Sequence, residues 1–143
     1  MKAIWSQAKP EFHGRFVSYE GVQAYPQPLQ QPHPPIVIGG HSPMAYRRAV
    51  EHANGWYGFS LDVAATETAV EGLRHAGQRH RRPAELGDLE ISVTPRVRID
   101  VEKAKRYAEL GVHRLVLLPP RNTDLAGLKQ FVSEIGETLI GNV

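Results

Sequence analysis

The sequence predicts an α/β fold in which four strands alternate with four helices after Pro35. Short apolar runs rich in β-branched and aromatic residues recur along residues 36–118, as buried strands do. Each run is followed by a residue suited to capping a helix and then by apolar residues at helical spacing. The connections are short, and this alternation favours a parallel sheet with right-handed crossovers.

The length and composition fit one soluble domain, residues 1–143, with 22% charged residues and a net charge of only +2. The small basic excess predicts no nucleic-acid partner. No apolar stretch approaches the roughly 20 residues of a membrane helix, and the first residues do not form a signal peptide. The absence of cysteine excludes a disulfide framework and a thiolate metal site, and it fits a cytoplasmic protein.

Residues 1–35 differ from the rest of the chain and are predicted to contain a helix end, a hairpin and a Pro-rich segment. Residues 12–20 are predicted to form a small hairpin or a strand, with Gly14 and Gly21 as turn points. Five of the eleven prolines lie in residues 25–35. Because proline lacks an amide donor and disfavours helix in the residue before it, this segment is predicted to be extended and irregular.

The first βα unit begins at the apolar run Ile36–Ile38, which is typical of a strand buried on both faces. The run ends at Gly39-Gly40. Ser42-Pro43 then predicts a helix start, with serine as the cap and proline at the first helical position. Asn54-Gly55 predicts the end of that helix.

The second and third units follow the same pattern. Residues 56–59 form an aromatic strand, and Asp62 can cap the next helix, which ends in the basic run 78–83. Residues 89–93 alternate as a strand does, and the alternation continues to Val97 and Ile99. Asp100 can cap the third helix.

The fourth unit pairs the strand 115–118 with a helix that Asp124 can cap. This helix carries a continuous apolar stripe, formed by Leu125, Leu128, Val132, Ile135 and Leu139. Two architectures fit four such units: an open doubly wound sheet of flavodoxin-like type, or half of an eight-stranded barrel. A complete barrel needs roughly 250 residues. A measured strand order separates the two, because the doubly wound sheet binds its ligand where strand order reverses.

Several segments resemble the luciferase-like monooxygenase family. They read FHGRFVSYEGV, YPQPLQQPHPPIVIGGHSP, RRAVEHANGWYGF, LEISVTP and AELGVHRLVLLPP. The resemblance implies an enzyme that uses FMN or the deazaflavin coenzyme F420. It also implies a TIM-type (βα)8 barrel, of which this chain would supply only the C-terminal half, the last four strands.

The strongest candidate site is the segment Gly39, Gly40, His41 and Ser42, between a strand end and a helix start. Glycine lets a ligand approach the backbone, and the free amides and dipole of a helix start favour a phosphate. The family resemblance implies that this segment holds the ribityl-phosphate tail of the cofactor. The alternative is a tight βα turn without a ligand. Trp56 is predicted either to line the mouth of the flavin site or to fill the core.

Other candidates are weaker. Arg47 or Arg48 could reach a phosphate at the helix start, although a solvated helix face is the favoured interpretation of both. Arg121, after the last strand, is a second candidate phosphate anchor. The run Arg79–Arg82 is interpreted as a solvated helix end. No histidine stands at metal-ligand spacing, so no metal is predicted. The sequence shows no complete acid–base pair, and no catalytic residue is assigned.

These observations predict the C-terminal half of a flavin- or deazaflavin-dependent oxidoreductase or monooxygenase. The alternative is a non-catalytic half barrel that serves as an assembly or scaffold partner and binds no cofactor. Because a half barrel has two open sheet edges and an exposed apolar face, we expect it to pair. The expected partner is a second copy, giving a homodimer, or a separate N-terminal half.

Overall fold

The computed structural model describes residues 1–143 and contains two compact units, Met1–Pro35 and Ile36–Val143. None of its helices combines the length and apolar character needed to cross a membrane.

The first unit contains a short helix, a small hairpin and the Pro-rich segment. Helix α1 spans Lys2–Ser6, and strands β1 (Phe12–His13) and β2 (Ser18–Tyr19) pair antiparallel. The amide of Gly14 donates to the carbonyl of Val17 and closes the hairpin turn. The predicted hairpin is therefore confirmed.

The second unit consists of four consecutive βα pairs. They are β3 (Val37–Gly39) and α2 (Pro43–His52), β4 (Gly55–Leu61) and α3 (Val63–Arg79), β5 (Glu90–Pro95) and α4 (Val101–Glu109), and β6 (Arg114–Leu115) and α5 (Leu125–Leu139). A short 3-10 helix, Ala84–Leu86, lies between α3 and β5.

All neighbouring strands in this unit are parallel, and the sheet order is β3-β4-β5-β6, the same as the order along the chain. A doubly wound sheet reverses its strand order at a switch point, and this sheet has no reversal. The flavodoxin-like alternative is therefore wrong. The order is the one found in half of a (βα)8 barrel.

Side-chain caps fix the start of every helix in the second unit. Ser42, Asp62, Asp100 and Asp124 each accept a hydrogen bond from the amide three residues later, at 2.8–3.2 Å. Such a cap satisfies an amide that has no partner within the helix and is typically worth about 1 kcal/mol. The four predicted caps are confirmed.

The core lies between one face of the sheet and the helices. Trp56 of β4 and Val93 of β5 are fully buried and belong to one cluster with Tyr46 of α2, Leu73 of α3 and Tyr107 of α4. The hydroxyl of Tyr107 donates to the carbonyl of Leu61 at 2.8 Å. Helices α2, α3 and α4 therefore cover one face, as the helices of a barrel do.

The strands at both edges differ from the prediction. Strand β3 is not buried on both faces: Val37 is 52% exposed, because β3 has a neighbour on one side only. Strand β6 contains Arg114–Leu115 rather than residues 115–118. Strand β5 ends at Pro95, so Val97 and Ile99 do not extend it.

The end of helix α2 is also different. The helix ends at His52 with Ala53 in an extended conformation, and Gly55 is the first residue of β4 rather than part of a cap. Asn54 has another role, because its side-chain oxygen accepts from the amide of Ile36 at 3.0 Å. This bond ties the start of β3 to the start of β4.

The apolar stripe of α5 is largely exposed. No residue of the helix is buried, and Leu125 and Val132 are 70% and 62% exposed. Only Leu139 among the predicted stripe residues packs against the core cluster. The predicted helix is confirmed, but most of its apolar face has no partner within the chain.

Candidate functional site

The predicted site is an exposed turn between β3 and α2, formed by Gly39, Gly40, His41 and Ser42. It lies at the carboxyl end of a parallel strand, the edge at which barrel enzymes hold their ligands. The structure brings all four predicted residues together at the start of helix α2, which is 10 residues long.

The two glycines of this turn are not equivalent. Gly40 has a φ of +111°, which side chains rarely tolerate, and an added Cβ would lie 3.2 Å from the Cβ of Ala45. Gly39 has no positive φ, and a Cβ there would lie 3.8 Å from the carbonyl oxygen of Tyr57, an ordinary contact. The turn conformation therefore requires glycine at position 40 and not at position 39.

The backbone amides of the turn are available to an anion. Ser42 Oγ accepts from the amide of Ala45, while the amides of His41, Ser42 and Met44 form no hydrogen bond within the chain. The start of a helix carries a partial positive charge of about half an elementary charge. An open turn with unpaired amides and this charge fits a phosphate group.

Trp56 lies beneath the turn and is fully buried. Its indole Nε1 donates to the carbonyl of Gly40 at 2.8 Å, and its ring lies 6.0 Å from that of His41 and 5.9 Å from that of Tyr46. Burial raises the pKa of the Tyr46 hydroxyl. Trp56 therefore supports the turn from the core side, and any effect on a ligand passes through Gly40.

Of the two arginines that follow the turn, Arg47 is engaged with another partner. Arg47 Nε forms an ion pair with Glu51 Oε2 at 3.0 Å, one helical turn further on. This hydrogen bond lowers the pKa of the Glu51 carboxyl. Arg48 is exposed and forms no ion pair. The interpretation of this stretch as a solvated helix face agrees with these contacts.

Arg82 has a structural role that the sequence does not reveal. Its guanidinium donates to the carbonyls of Val50 and Ala53 at the end of α2, at 3.1 and 2.9 Å, and to those of Leu86 and Gly87. Arg82 thus caps α2 and holds the turn before β5. The interpretation of all of Arg79–Arg82 as a solvated helix end is wrong for this residue.

We expect Arg82→Ala to lower the free energy of unfolding by about 2–3 kcal/mol, because several carbonyls lose a charged donor. Arg81, which is exposed and forms no hydrogen bond, provides the matched control. Urea denaturation followed by circular dichroism measures both variants. Equal stability of Arg81→Ala and Arg82→Ala would show that the Arg82 contacts add nothing.

A second opening lies at the carboxyl ends of β4, β5 and β6. It is a cleft of about 850 Å³ between the loops that follow these strands and one face of α5. Arg121, predicted as a phosphate anchor, lines this cleft and not the glycine turn, together with Arg96 and Arg98. These two arginines are not among the residues predicted from the sequence, although their alternation just after Pro95 is visible there.

Comparison with known proteins agrees with this architecture. The sequence profile of the luciferase-like monooxygenases matches residues 1–136. The chain belongs to the luciferase-like monooxygenase family. The resemblance seen in the sequence is thereby confirmed.

Individual relatives cover the chain to different extents. An uncharacterized protein of Mycobacterium tuberculosis is 28% identical over 128 residues, which are 87% of this chain and 43% of that protein. The FMNH(2)-dependent dimethylsulfone monooxygenase of Pseudomonas putida is 40% identical over 74 residues, 52% of this chain and 18% of the enzyme.

The structure of an F420-dependent secondary alcohol dehydrogenase, in complex with an F420-acetone adduct, superposes with a TM-score of 0.61 at 10% identity. The superposition covers 81% of this chain and 52% of the dehydrogenase. It supports the fold, four βα units that resemble the C-terminal half of a barrel. The chain thus spans about half the length of the luciferase-like proteins that it matches over most of its own length.

Proposed function

We propose that the chain forms the cofactor-binding C-terminal half of a flavin- or deazaflavin-dependent oxidoreductase, with the phosphate of FMN or F420 at the turn Gly39–Ser42. The observation that carries this proposal is the turn itself. It combines an obligatory glycine at position 40, unpaired amides and an exposed helix start. The names of the Pseudomonas monooxygenase and the dehydrogenase support a cofactor of this class.

The backbone of residues 40–44 holds the phosphate. The amides of His41, Ser42 and Met44 donate to phosphate oxygens, and Gly40 lets the backbone approach them. Trp56 fixes the Gly40 carbonyl on the core side, so that this acceptor does not face the anion. When bound, the flavin or deazaflavin ring supplies the redox chemistry, while the chain supplies position and charge.

A fluorescence titration of the purified chain with FMN and, separately, with F420 tests this proposal. We expect one of them to bind with a dissociation constant in the micromolar range, which corresponds to a binding free energy of about 8 kcal/mol in magnitude. Failure of both to bind up to millimolar concentration would contradict the proposal.

We further propose that a second copy of the chain completes the sheet. Strands β3 and β6 each have one free edge, and the apolar stripe of α5 is exposed. In a twofold dimer, β6 of each copy would pair with β3 of the other, which closes eight strands and covers both edges. This chain matches about half of the dehydrogenase chain, so two copies together contain about as many residues as one complete barrel.

Light scattering after size exclusion tests the dimer. The expected mass at micromolar concentration is twice 15.9 kDa. Leu128→Lys, in the exposed stripe of α5, should shift the protein toward the monomer, and Lys105→Glu, at an exposed position of α4, should not. A wild-type chain that stays monomeric would overturn the dimer and leave a separate N-terminal half as the remaining partner.

The rival function is a non-catalytic half barrel that acts as a scaffold. The exposed apolar stripe of α5 favours it, because a surface of this kind serves assembly whether or not a cofactor binds. The two functions differ in one observable: only the oxidoreductase half binds FMN or F420 at the glycine turn.

A further inference from the structure

We infer that the cleft at the carboxyl ends of β4, β5 and β6 binds a small organic anion, an oxyanion group such as a carboxylate or phosphate on an apolar body. The inference rests on the proposed function in one respect: this anion would be the substrate of the oxidoreductase. The cleft volume of about 850 Å³ lies within the range of small-molecule sites, roughly 300–1,000 Å³.

The walls of the cleft are largely apolar. Phe59 is 56% exposed and Leu118 is 58% exposed, although both are large hydrophobic residues. Pro119, Phe131 and Ile135 also line the cleft. Walls of this kind fit the hydrocarbon or aromatic body of a ligand.

The backbone at the end of β4 is fixed in an unusual conformation beside this wall. The pairing of β4 with β5 is irregular between Phe59 and Leu61, and Ser60 has a φ of +58°. Arg96 stabilises the irregularity, because its amide donates to the Leu61 carbonyl at 3.0 Å and its Nε to the Ser60 carbonyl at 3.2 Å. Bulges and positive-φ residues recur next to ligand sites, where they redirect a side chain. Here the bulge lies beside the exposed ring of Phe59.

Positive charge dominates the polar part of the lining. Arg96, Arg98 and Arg121 line the cleft, against the carboxylates of Asp100 and Glu134. Asp100 is already engaged, since it caps α4 and pairs with Lys103. The pKa of its carboxyl is lowered by these bonds.

The three guanidinium groups are only weakly neutralised. Arg121 forms no ion pair. The guanidinium of Arg96 lies 3.9 Å from the Asp62 carboxylate, and that of Arg98 lies 3.6 Å from the Glu134 carboxylate. Both distances are longer than a charge-assisted hydrogen bond. Guanidinium groups match carboxylate and phosphate oxygens in pairs, which selects an anionic ligand over a neutral or cationic one.

The floor of the cleft adds a hydroxyl group. Thr94 is 3% exposed and lines the cleft, and its Oγ1 lies 2.6 Å from the hydroxyl of Tyr57. Because the carboxyl ends of parallel strands share one edge of the sheet, the cleft and the glycine turn open at the same edge. A ligand in the cleft is therefore suitably placed to be the substrate of a cofactor held at the turn.

The charge requirement is tested with two probes of the same shape, 2-naphthoate and the neutral 2-naphthamide, in NMR titrations of the chain without cofactor. We expect naphthoate to bind about fivefold more tightly or better, because only it can pair with a guanidinium. Resonances of Phe59, Thr94 and Phe131 should shift. In the double variant Arg98→Gln/Arg121→Gln, which keeps Arg96 at the bulge, the preference for naphthoate should fall to about twofold or less, and naphthamide affinity should not change.

Controls separate this inference from the proposed function. Arg79→Gln, at an exposed position of α3 and outside the cleft lining, removes one positive charge and should leave naphthoate affinity unchanged. FMN affinity is measured on the same Arg98→Gln/Arg121→Gln protein and should be retained. Equal affinity of the two probes in the wild type, or a preference for naphthoate that the double substitution leaves unchanged, would overturn the inference. Failure of both FMN and F420 to bind, with naphthoate still bound, would overturn the proposed function and leave the anion cleft standing.

Discussion

Gly40→Ala is expected to weaken FMN binding about tenfold or more. Alanine at a φ of +111° strains the backbone, and strain of this kind costs on the order of 1–3 kcal/mol. To relieve it, the turn must move the amides of His41 and Ser42 away from the phosphate. Fluorescence titration with FMN measures the effect, and circular dichroism verifies that the variant is folded.

Gly39→Ala is the matched control, because the same atom is added one residue earlier, where φ is not positive and the Cβ would make only an ordinary contact with the carbonyl oxygen of Tyr57. We expect its FMN affinity to stay within about twofold of the wild type, a change of less than about 0.5 kcal/mol. If both variants bind FMN as the wild type does, the phosphate is held elsewhere.

Trp56→Ala is expected to lower the free energy of unfolding by about 3–5 kcal/mol, because a fully buried indole leaves a large cavity. The lost bond to the Gly40 carbonyl adds to the effect. Urea denaturation followed by far-UV circular dichroism measures it. The substitution also removes the ring that lies between the turn and the core, so FMN affinity should fall as well.

Trp56→Phe separates packing from hydrogen bonding, because it keeps an aromatic ring and removes the donor to Gly40. Tyr107→Phe removes another core hydrogen bond, to Leu61, at the far end of the same strand. We expect both to lose about 1–2 kcal/mol of stability and only Trp56→Phe to weaken FMN binding. Equal FMN affinity in the two variants would show that the indole does not support the turn.

Local signals in the sequence predicted most of the fold. The caps Ser42, Asp62 and Asp124 act on amides three residues away, so their effect is contained within a short segment. The same holds for the helix starts and for the order of strands and helices. The family resemblance then selected the barrel half, and the strand order observed in the sheet agrees with it.

The errors arose where the environment is set by distant residues. An apolar run such as Ile36–Ile38 has the same sequence pattern whether the strand lies at the centre or at the edge of a sheet. Val37 is half exposed because β3 has a neighbouring strand on one side only. The exposure of the apolar stripe of α5 could not be predicted for the same reason, because a regular apolar pattern does not identify the surface that packs against it. Arg82 and Asn54 bind carbonyl and amide groups far along the chain, which no local pattern indicates.

The candidate site was predicted in part. The segment Gly39–Ser42 was found from its residue types, and the structure distinguishes the two glycines by their φ angles. Of the residues that line the cleft, only Arg121 was predicted as a ligand-binding residue. The walls of the cleft come from three strand ends and a helix that are separated in sequence, so no single segment indicates it.

The most direct test of the central claim is to compare FMN with riboflavin, which has the same ring and ribityl chain but no phosphate. If the turn holds the phosphate, FMN should bind at least about tenfold more tightly, a difference of about 1.4 kcal/mol. That preference should vanish in Gly40→Ala and persist in Gly39→Ala. Equal affinities for FMN and riboflavin in the wild-type chain would contradict the assignment of the turn as a phosphate site.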